Sequence, residues 1–247
     1  MIRFIEELSL NALPSQQTVY YDGWIVRFAN GYTRRANSVN PLYPSTIPLE
    51  EKIEYCEALY GSKGQSTIFK LTSAVQPESL PEFLSRRGYI QDALTSVQTA
   101  SLDDLPMPDI TTVTISSGLT ERWLDDHFRL NQVDPRHRPA MTHVLTALIP
   151  RACYITLQYE GETAAVGVGI LERGYVGLYD IVTAAPFRNR GVGRQLLLNI
   201  LQWAKTNGAY SAYLQVMLNN APALHLYGKL GFREVYQYWY CVRTLTT

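Results

Sequence analysis

Cysteine is scarce in this chain: Cys56, Cys153 and Cys241 are the three in 247 residues, an odd number set far apart. That excludes a disulfide framework and the paired spacing of a zinc site, and leaves buried, reduced thiols as the expectation. Histidine is nearly as scarce. His127, His137, His143 and His225 form no HExxH pair or other ligand spacing, so no metal is expected. Net charge is missing altogether, because 22 lysines and arginines balance 22 aspartates and glutamates. A neutral chain has no bulk attraction for nucleic acid or for an anionic membrane, so neither is expected as a partner. Any anion must be held by a local arrangement. No apolar run approaches the length of a membrane span, and the opening MIRFIEELSLN is too charged for a secretory signal. The expectation is a cytoplasmic protein.

What is present is a globular composition, 46% hydrophobic and 18% charged, on a chain long enough for one large domain or two small ones. DDLPMPD, residues 103 to 109, has two prolines, three aspartates and no apolar period, which reads as a domain boundary. It divides the chain into a smaller α/β unit over 1–104 and a second unit over 105–247. In the first unit, 19 to 31 reads as strand, with a second short strand at RANSV and a helix over 49 to 61. STIFKLT then reads as a strand, PESLPEFLSRRG as a helix and YIQDALTSVQTASL as a strand. In the second, a strand at 110 to 115, helices around LTERWLDDHFRL and 140 to 149, and a three-stranded meander ending near 183 come first. A helix over 192 to 207, a strand over 210 to 218, a helix over 220 to 230 and a strand over 232 to 243 follow. IFKLT followed by EFLSRRGY echoes YLQVM followed by HLYGKLGF, the same strand–helix–Gly-aromatic–strand unit written twice. The echo is either a duplication or a coincidence between two ordinary units. The first copy has no counterpart of RNRGVG.

That stretch, 188 to 193, carries the chemistry. The first N–H groups of a helix have no intrahelical partner and sit at the positive end of its dipole, so a phosphate is well placed there. Gly191 and Gly193 allow unusual torsions and a close approach, and Arg188, Arg190 and Arg194 add charge-assisted bonds. Behind the turn, Leu196, Leu197, Ile200, Leu201 and Ala204 form an apolar stripe, with Gln195, Asn199, Gln202 and Lys205 on the other side. No Lys-Ser or Lys-Thr follows, so this is not a Walker loop, and the Rossmann pattern is absent. Arg-x-x-Gly-x-Gly alone arises by chance in about one chain in ten of this length.

Its context is more specific. LYDIVTAAPFRNRGVGRQLLLNILQWA followed by LQVMLNNAPALHLYGKLGF resembles the GNAT superfamily of acetyl-CoA-dependent N-acetyltransferases. The likeness runs through Leu214, Val216, Asn220, Ala223, Leu226, Tyr227, Gly231 and Phe232, and covers residues 110 to 243, most specifically in their second half. It implies a mixed central β-sheet flanked by helices and open where two strands splay apart to admit the CoA arm, with a degenerate unit of the same kind, or an accessory α/β domain, at the N-terminus. It also implies acetyl-CoA as cosubstrate, with its pyrophosphate on the turn formed by Arg188, Asn189, Arg190, Gly191, Val192, Gly193 and Arg194. The backbone of Ile181, Val182 and Thr183 would pair with the pantetheine arm as an added strand, and an N–H there would polarise the thioester carbonyl. Asn220 would bond the same arm, or cap the helix it precedes. Tyr227 would be the general acid that protonates the departing thiolate.

The implied reaction is direct attack by a primary amine in a ternary complex. The amine must first lose a proton, since an ammonium has no lone pair. Some relatives place a glutamate for this on the strand after the turn helix, where this chain has Gln215. Asp180, Glu172, Asp134 and His137 are the alternatives, each more readily read as a solvated surface group, and an amine that arrives with a low pKa needs no dedicated base. Arg34 and Arg35 read as a substrate-facing patch or as a charged strand edge. A small-molecule amine or a peptide is the expected acceptor, with a homodimer also left open. A module that holds acetyl-CoA without turnover, as sensor or interaction partner, is the rival function.

Overall fold

A computed structural model describes residues 1–244. They form two compact units: residues 1–97 with 217–219 and the stretch from 235 onward, and residues 98–216 with 220–234. The division therefore falls just before the acidic segment at 103 to 109. It also assigns the C-terminal strand to the first unit. No helix among the described residues is long and apolar enough to cross a membrane.

The first unit opens with helix α1 (Ile2–Ala12), which the sequence analysis did not mark. A buried ion pair fastens it. Glu6 meets Lys70 Nζ at 2.6 Å and accepts a bond from the Tyr236 hydroxyl at 2.7 Å, and Lys70 lies over the Tyr238 ring. The run read as one strand is a hairpin of β1 (Gln17–Tyr21) and β2 (Trp24–Phe28). Its turn, Asp22-Gly23, has φ of 41° and 80°, the left-handed pair that Asp-Gly favours. Strand β3 (Val39–Pro41), helix α2 (Leu49–Ser62) and β4 (Thr67–Thr72) make a parallel crossover. Helix α3 (Leu80–Arg86) and strand β5 (Ile90–Ser101) follow. The last strand of the chain, β11 (Arg233–Arg243), pairs antiparallel through Tyr238–Arg243 with the whole of β4, which is why it belongs here. Trp24, Phe28, Ile53, Tyr60, Phe69, Leu80 and Leu84 form the core.

The second unit has strand order β10-β9-β8-β7-β6. Strands β6 (Val113–Ser116), β7 (Arg151–Tyr159), β8 (Glu162–Glu172) and β9 (Tyr175–Thr183) form an antiparallel meander. Helices α4 (Glu121–Asn131) and α5 (Arg138–Thr146) precede β7. Helix α6 (Val192–Thr206) crosses over to β10 (Ser211–Met217), parallel to β9, and α7 (Ala221–Lys229) follows. Helix α6 lies close on β8 because Gly169 leaves room: a Cβ there would stand 2.5 Å from Ile200 Cγ2. Gln195 and Asn199, expected on the solvent side of α6, are buried. Gln195 Oε1 accepts from the backbone of Asp109 and Ile110, and Asn199 Nδ2 donates to Ile110 O, so they bind the connecting segment to the helix.

The two echoed stretches take the same element order. In each, a left-handed glycine follows the helix, Gly88 (φ 81°) or Gly231 (φ 86°). The next aromatic N–H returns to a carbonyl five residues back, Tyr89 to Leu84 at 3.0 Å and Phe232 to Tyr227 at 3.1 Å.

Candidate active site

The site begins where a parallel pair comes apart. Strands β9 and β10 pair through Tyr175–Gly177 and Ser211–Tyr213, and no further. Beyond that point β9 runs on to Thr183 and β10 to Met217 without bonding each other. At the crotch, Tyr179 and Tyr213 join hydroxyl to hydroxyl at 3.0 Å. A Cβ on Gly177 would lie 2.6 Å from the Tyr213 ring, so glycine there makes room for the pair. Just past the crotch β9 bulges. Val168 faces Tyr179 and Val166 faces Val182, so Gly167 opposes both Asp180 and Ile181, and Asp180 takes a left-handed φ of 49°. The bulge leaves Asp180 and Ile181 without one-to-one partners, the ladder resumes at Val182 and Thr183, and Ile181, Val182 and Thr183 all line the cleft that opens there.

From Thr183 the chain turns through Ala185–Phe187 into α6. Asn189 (φ 59°) and Gly191 (φ 80°) both take left-handed torsions. The first helical bond is Gln195 N–H to Gly191 O at 3.1 Å, so the N–H groups of Val192, Gly193 and Arg194 precede it. A side chain at Gly193 would press on Thr183 Oγ1 at 3.0 Å, against the strand end that lines the cleft. The cleft has a volume of about 850 Å³. Arg188, Asn189, Gly191, Gly193 and Arg194 line one side, and Asn220 and Tyr227 another. His225, Lys229 and Asn131 complete the polar lining, and no aspartate or glutamate among the described residues joins them. An anion is suited to such a surface.

The structure separates two residues from that set. Arg190 turns away: its guanidinium forms an ion pair with Glu160 and lies over the rings of Tyr159 and Phe187. The Val192 side chain is wholly buried in the core, leaving only its backbone at the helix start. Arg188 Nε donates to Thr183 O at 3.2 Å, tying the turn to the end of β9. Asn220 Oδ1 accepts from Ala223 N–H at 3.3 Å, so the side chain caps α7 while it lines the cleft. Tyr227 packs edge-on against Phe232, and burial raises its phenol above the usual value, so the group is a neutral proton donor at pH 7.

Among the candidates for proton removal, Glu172 ends β8 beside Arg173, and Asp134 pairs with Arg136 and caps its turn. Asp180 adjoins the cleft-lining Ile181. Arg34 is paired with Asp92 at 2.5 Å within the first unit. Burial pushes the Cys56 and Cys153 thiols up to about 12, which makes them unreactive. Sequence reasoning passed over His127, which stands on α4 with an exposure of 2% and stacks on Trp123. Its signal was the i, i+4 spacing from Asn131, a cleft residue.

Comparison with known proteins agrees with this geometry. The family described as "Probable histone acetyltransferase Rv0428c C-terminal" matches residues 1–241. The chain is 27% identical to the uncharacterized N-acetyltransferase YobR of Bacillus subtilis over 250 residues, 98% of each protein. A GCN5-related N-acetyltransferase from Kribbella flavida shares the fold, with a TM-score of 0.75 over 99% of this chain and 96% of its own at 14% identity. A tandem GNAT protein from the clavulanic acid biosynthesis pathway gives 0.70 over 98% and 88% at 10% identity. A forked parallel pair, a glycine-bearing helix start and a match across nearly the whole sequence thus lead to one assignment: the chain belongs to that family, within the GNAT superfamily of N-acetyltransferases.

Proposed function

We propose that the protein transfers an acetyl group from acetyl-CoA to a primary amine by direct attack in a ternary complex. The observation that carries this reading is the fork between β9 and β10, which opens beside a helix start bearing Arg188 and Arg194 and no carboxylate. The pyrophosphate is held by the N–H groups at the start of α6 and by those two arginines. The pantetheine arm adds to the free edge of β9 at Ile181–Thr183, with Asn220 as a further polar contact. Acetyl-CoA supplies the activated acyl group. A backbone N–H at the β9 bulge polarises the thioester carbonyl, and the Tyr227 hydroxyl gives its proton to the departing sulfur. Asp180 is the carboxylate nearest this path along the chain, and it takes the place that Gln215 cannot fill. The acceptor is a small amine or the amino group of a peptide.

Calorimetric titration with acetyl-CoA tests the cradle, with Gly191→Glu as the comparison. The variant puts a carboxylate where the pyrophosphate belongs and should lose about 100-fold or more in affinity, roughly 2.7 kcal/mol. Equal binding by both proteins would remove the cradle from the reading. Thiol release with a panel of primary amines then separates a transferase from a module that only holds acetyl-CoA.

A further inference from the structure

The proton that leaves the acceptor amine needs a destination, and the cleft lining, whose one imidazole is His225 of α7, offers no carboxylate among the described residues. Helix α4 packs across β7, β8 and β9. At its C-terminal end Asn131 lines the cleft, and one turn deeper on the same face stands His127. The ring is stacked on Trp123 with centroids 5.2 Å apart, and its Nδ1 is buried with no hydrogen-bond partner among the described residues. A buried imidazole nitrogen without a partner is costly to keep for packing alone. Across from α4, Asp180 occupies the bulge of β9 in a left-handed conformation that few aspartates adopt.

We propose that His127 is the positioning residue for proton removal: Asp180 takes the proton from the acceptor ammonium and His127 Nδ1 receives it from Asp180. This deepens the acetyl-transfer reading and rests on it. The ammonium N–H bond breaks and its electron pair stays on nitrogen for attack on the thioester. The proton passes to an Asp180 oxygen and then, across one bridging water, to Nδ1. The products are a free amine, a carboxylate and an imidazolium side by side, each charge offsetting the other.

The surroundings support a ring that starts neutral. Burial lowers the His127 pKa below the ordinary histidine value, and the Asp180 charge opposes that by favouring the protonated form. The other titratable groups on strands under α4 are engaged or distant. Tyr154 of β7 donates its hydroxyl to Leu145 O, and Glu162 and Glu172 stand at the two ends of β8. On α4 itself, Asp126 pairs with Arg129, while Glu121 and Asp125 pair with Arg138. Asp180 is thus the charge that acts on the ring.

Two measurements on the full chain test this. In the first, the four histidines are titrated by NMR, with His127→Gln to assign the signal. The His127 midpoint should lie below the ordinary value and fall further in Asp180→Asn; an unmoved midpoint in that variant overturns the coupling. This arm needs no turnover, so it decides even if acetyl transfer fails. In the second, kcat is followed against pH with n-butylamine as acceptor. The wild-type rate should rise as His127 becomes neutral. His127→Gln and His127→Asn should lower kcat by about 100-fold at pH 7 and lose that limb, with acetyl-CoA affinity within about twofold. An unchanged limb in both variants overturns the role, whereas no turnover by the wild type with n-butylamine or with any amine or peptide of the panel counts against the transferase reading instead.

Discussion

Helices α2 and α6 hold the same place in their units, each crossing between two parallel strands, yet their N-termini are furnished in opposite ways. At α6 the first N–H groups face a cleft with Arg188 and Arg194 and no carboxylate. At α2 the position is already filled by the chain's own charge. Glu50 and Glu51 lie in its first turn, and Asp22 accepts the N–H groups of Thr46 and Ile47 at 2.9 and 2.8 Å just ahead of it. The buried Lys52 balances that carboxylate at 3.1 Å. One unit carries a built-in anion where the other leaves room for a ligand. The contrast recurs one element later. The residue five back from the Gly-aromatic cap is Leu84 in α3, fully buried in the core, and Tyr227 in α7, lining the cleft. The architecture is shared, and the chemistry depends on which atoms stand at the helix start and at that one helical position.

The difference is sharpest at Tyr227. Tyr227→Phe keeps the ring and its contact with Phe232, so acetyl-CoA should bind within about twofold of wild type. Without the hydroxyl proton, kcat should fall by about 100-fold or more in a thiol-release assay. A variant that turned over normally would make Tyr227 as structural as its counterpart. Leu84→Ala should do the reverse, costing about 2–5 kcal/mol of stability through the cavity it leaves. Urea unfolding reads that loss directly.

At the filled helix start, the Asp22 carboxyl is drawn down to about 2, first by the Ile47 N–H and also by Lys52 and Thr46. A carboxyl with a lowered folded-state value stabilises the fold above its unfolded value and loses that contribution as pH falls through the folded one. Asp22→Asn should therefore lower the urea midpoint at pH 7, by less than Leu84→Ala. The gap between wild type and variant should then shrink from about pH 4 down to about pH 2. A gap independent of pH would mean that the side chain acts by shape and not by charge.

How much of this was legible in the sequence depends on the range of the interaction. The helix start at 191, the glycine caps and the Leu-Tyr pair of α7 depend on local torsions and spacing, and those show in a linear reading. Helix α1 did not, because the buried pair that holds it, Glu6 with Lys70, joins residues far apart in sequence. The pairing of β11 with β4 is equally remote. The fork could be expected only through the family resemblance, because strand-forming residues such as Leu214 and Val216 read as strand whether or not a neighbour bonds to them. The Asp180 bulge leaves no composition signal, and without it His127 looked like any histidine on an apolar helix face. Gln195 and Asn199 misled because polar residues on a helix read as solvent-facing, whereas here they satisfy the backbone of a buried connection.

The three arginines of the turn gave equal expectations and should have unequal effects. Arg188 and Arg194 line the cleft, so replacing either with alanine should weaken acetyl-CoA binding about 5- to 10-fold at low ionic strength, with the loss fading as salt rises. Arg190→Ala should change affinity by less than about twofold, because Glu160 and the Tyr159 and Phe187 rings already hold the guanidinium. The more discriminating substitution is Glu160→Gln. It removes the competing carboxylate and leaves the side-chain shape, so the guanidinium is free to turn toward the pyrophosphate and binding should tighten at low salt. If Glu160→Gln instead binds as the wild type does at every salt concentration, the aromatic rings alone fix Arg190, and the turn binds its anion with two arginines and the backbone of α6.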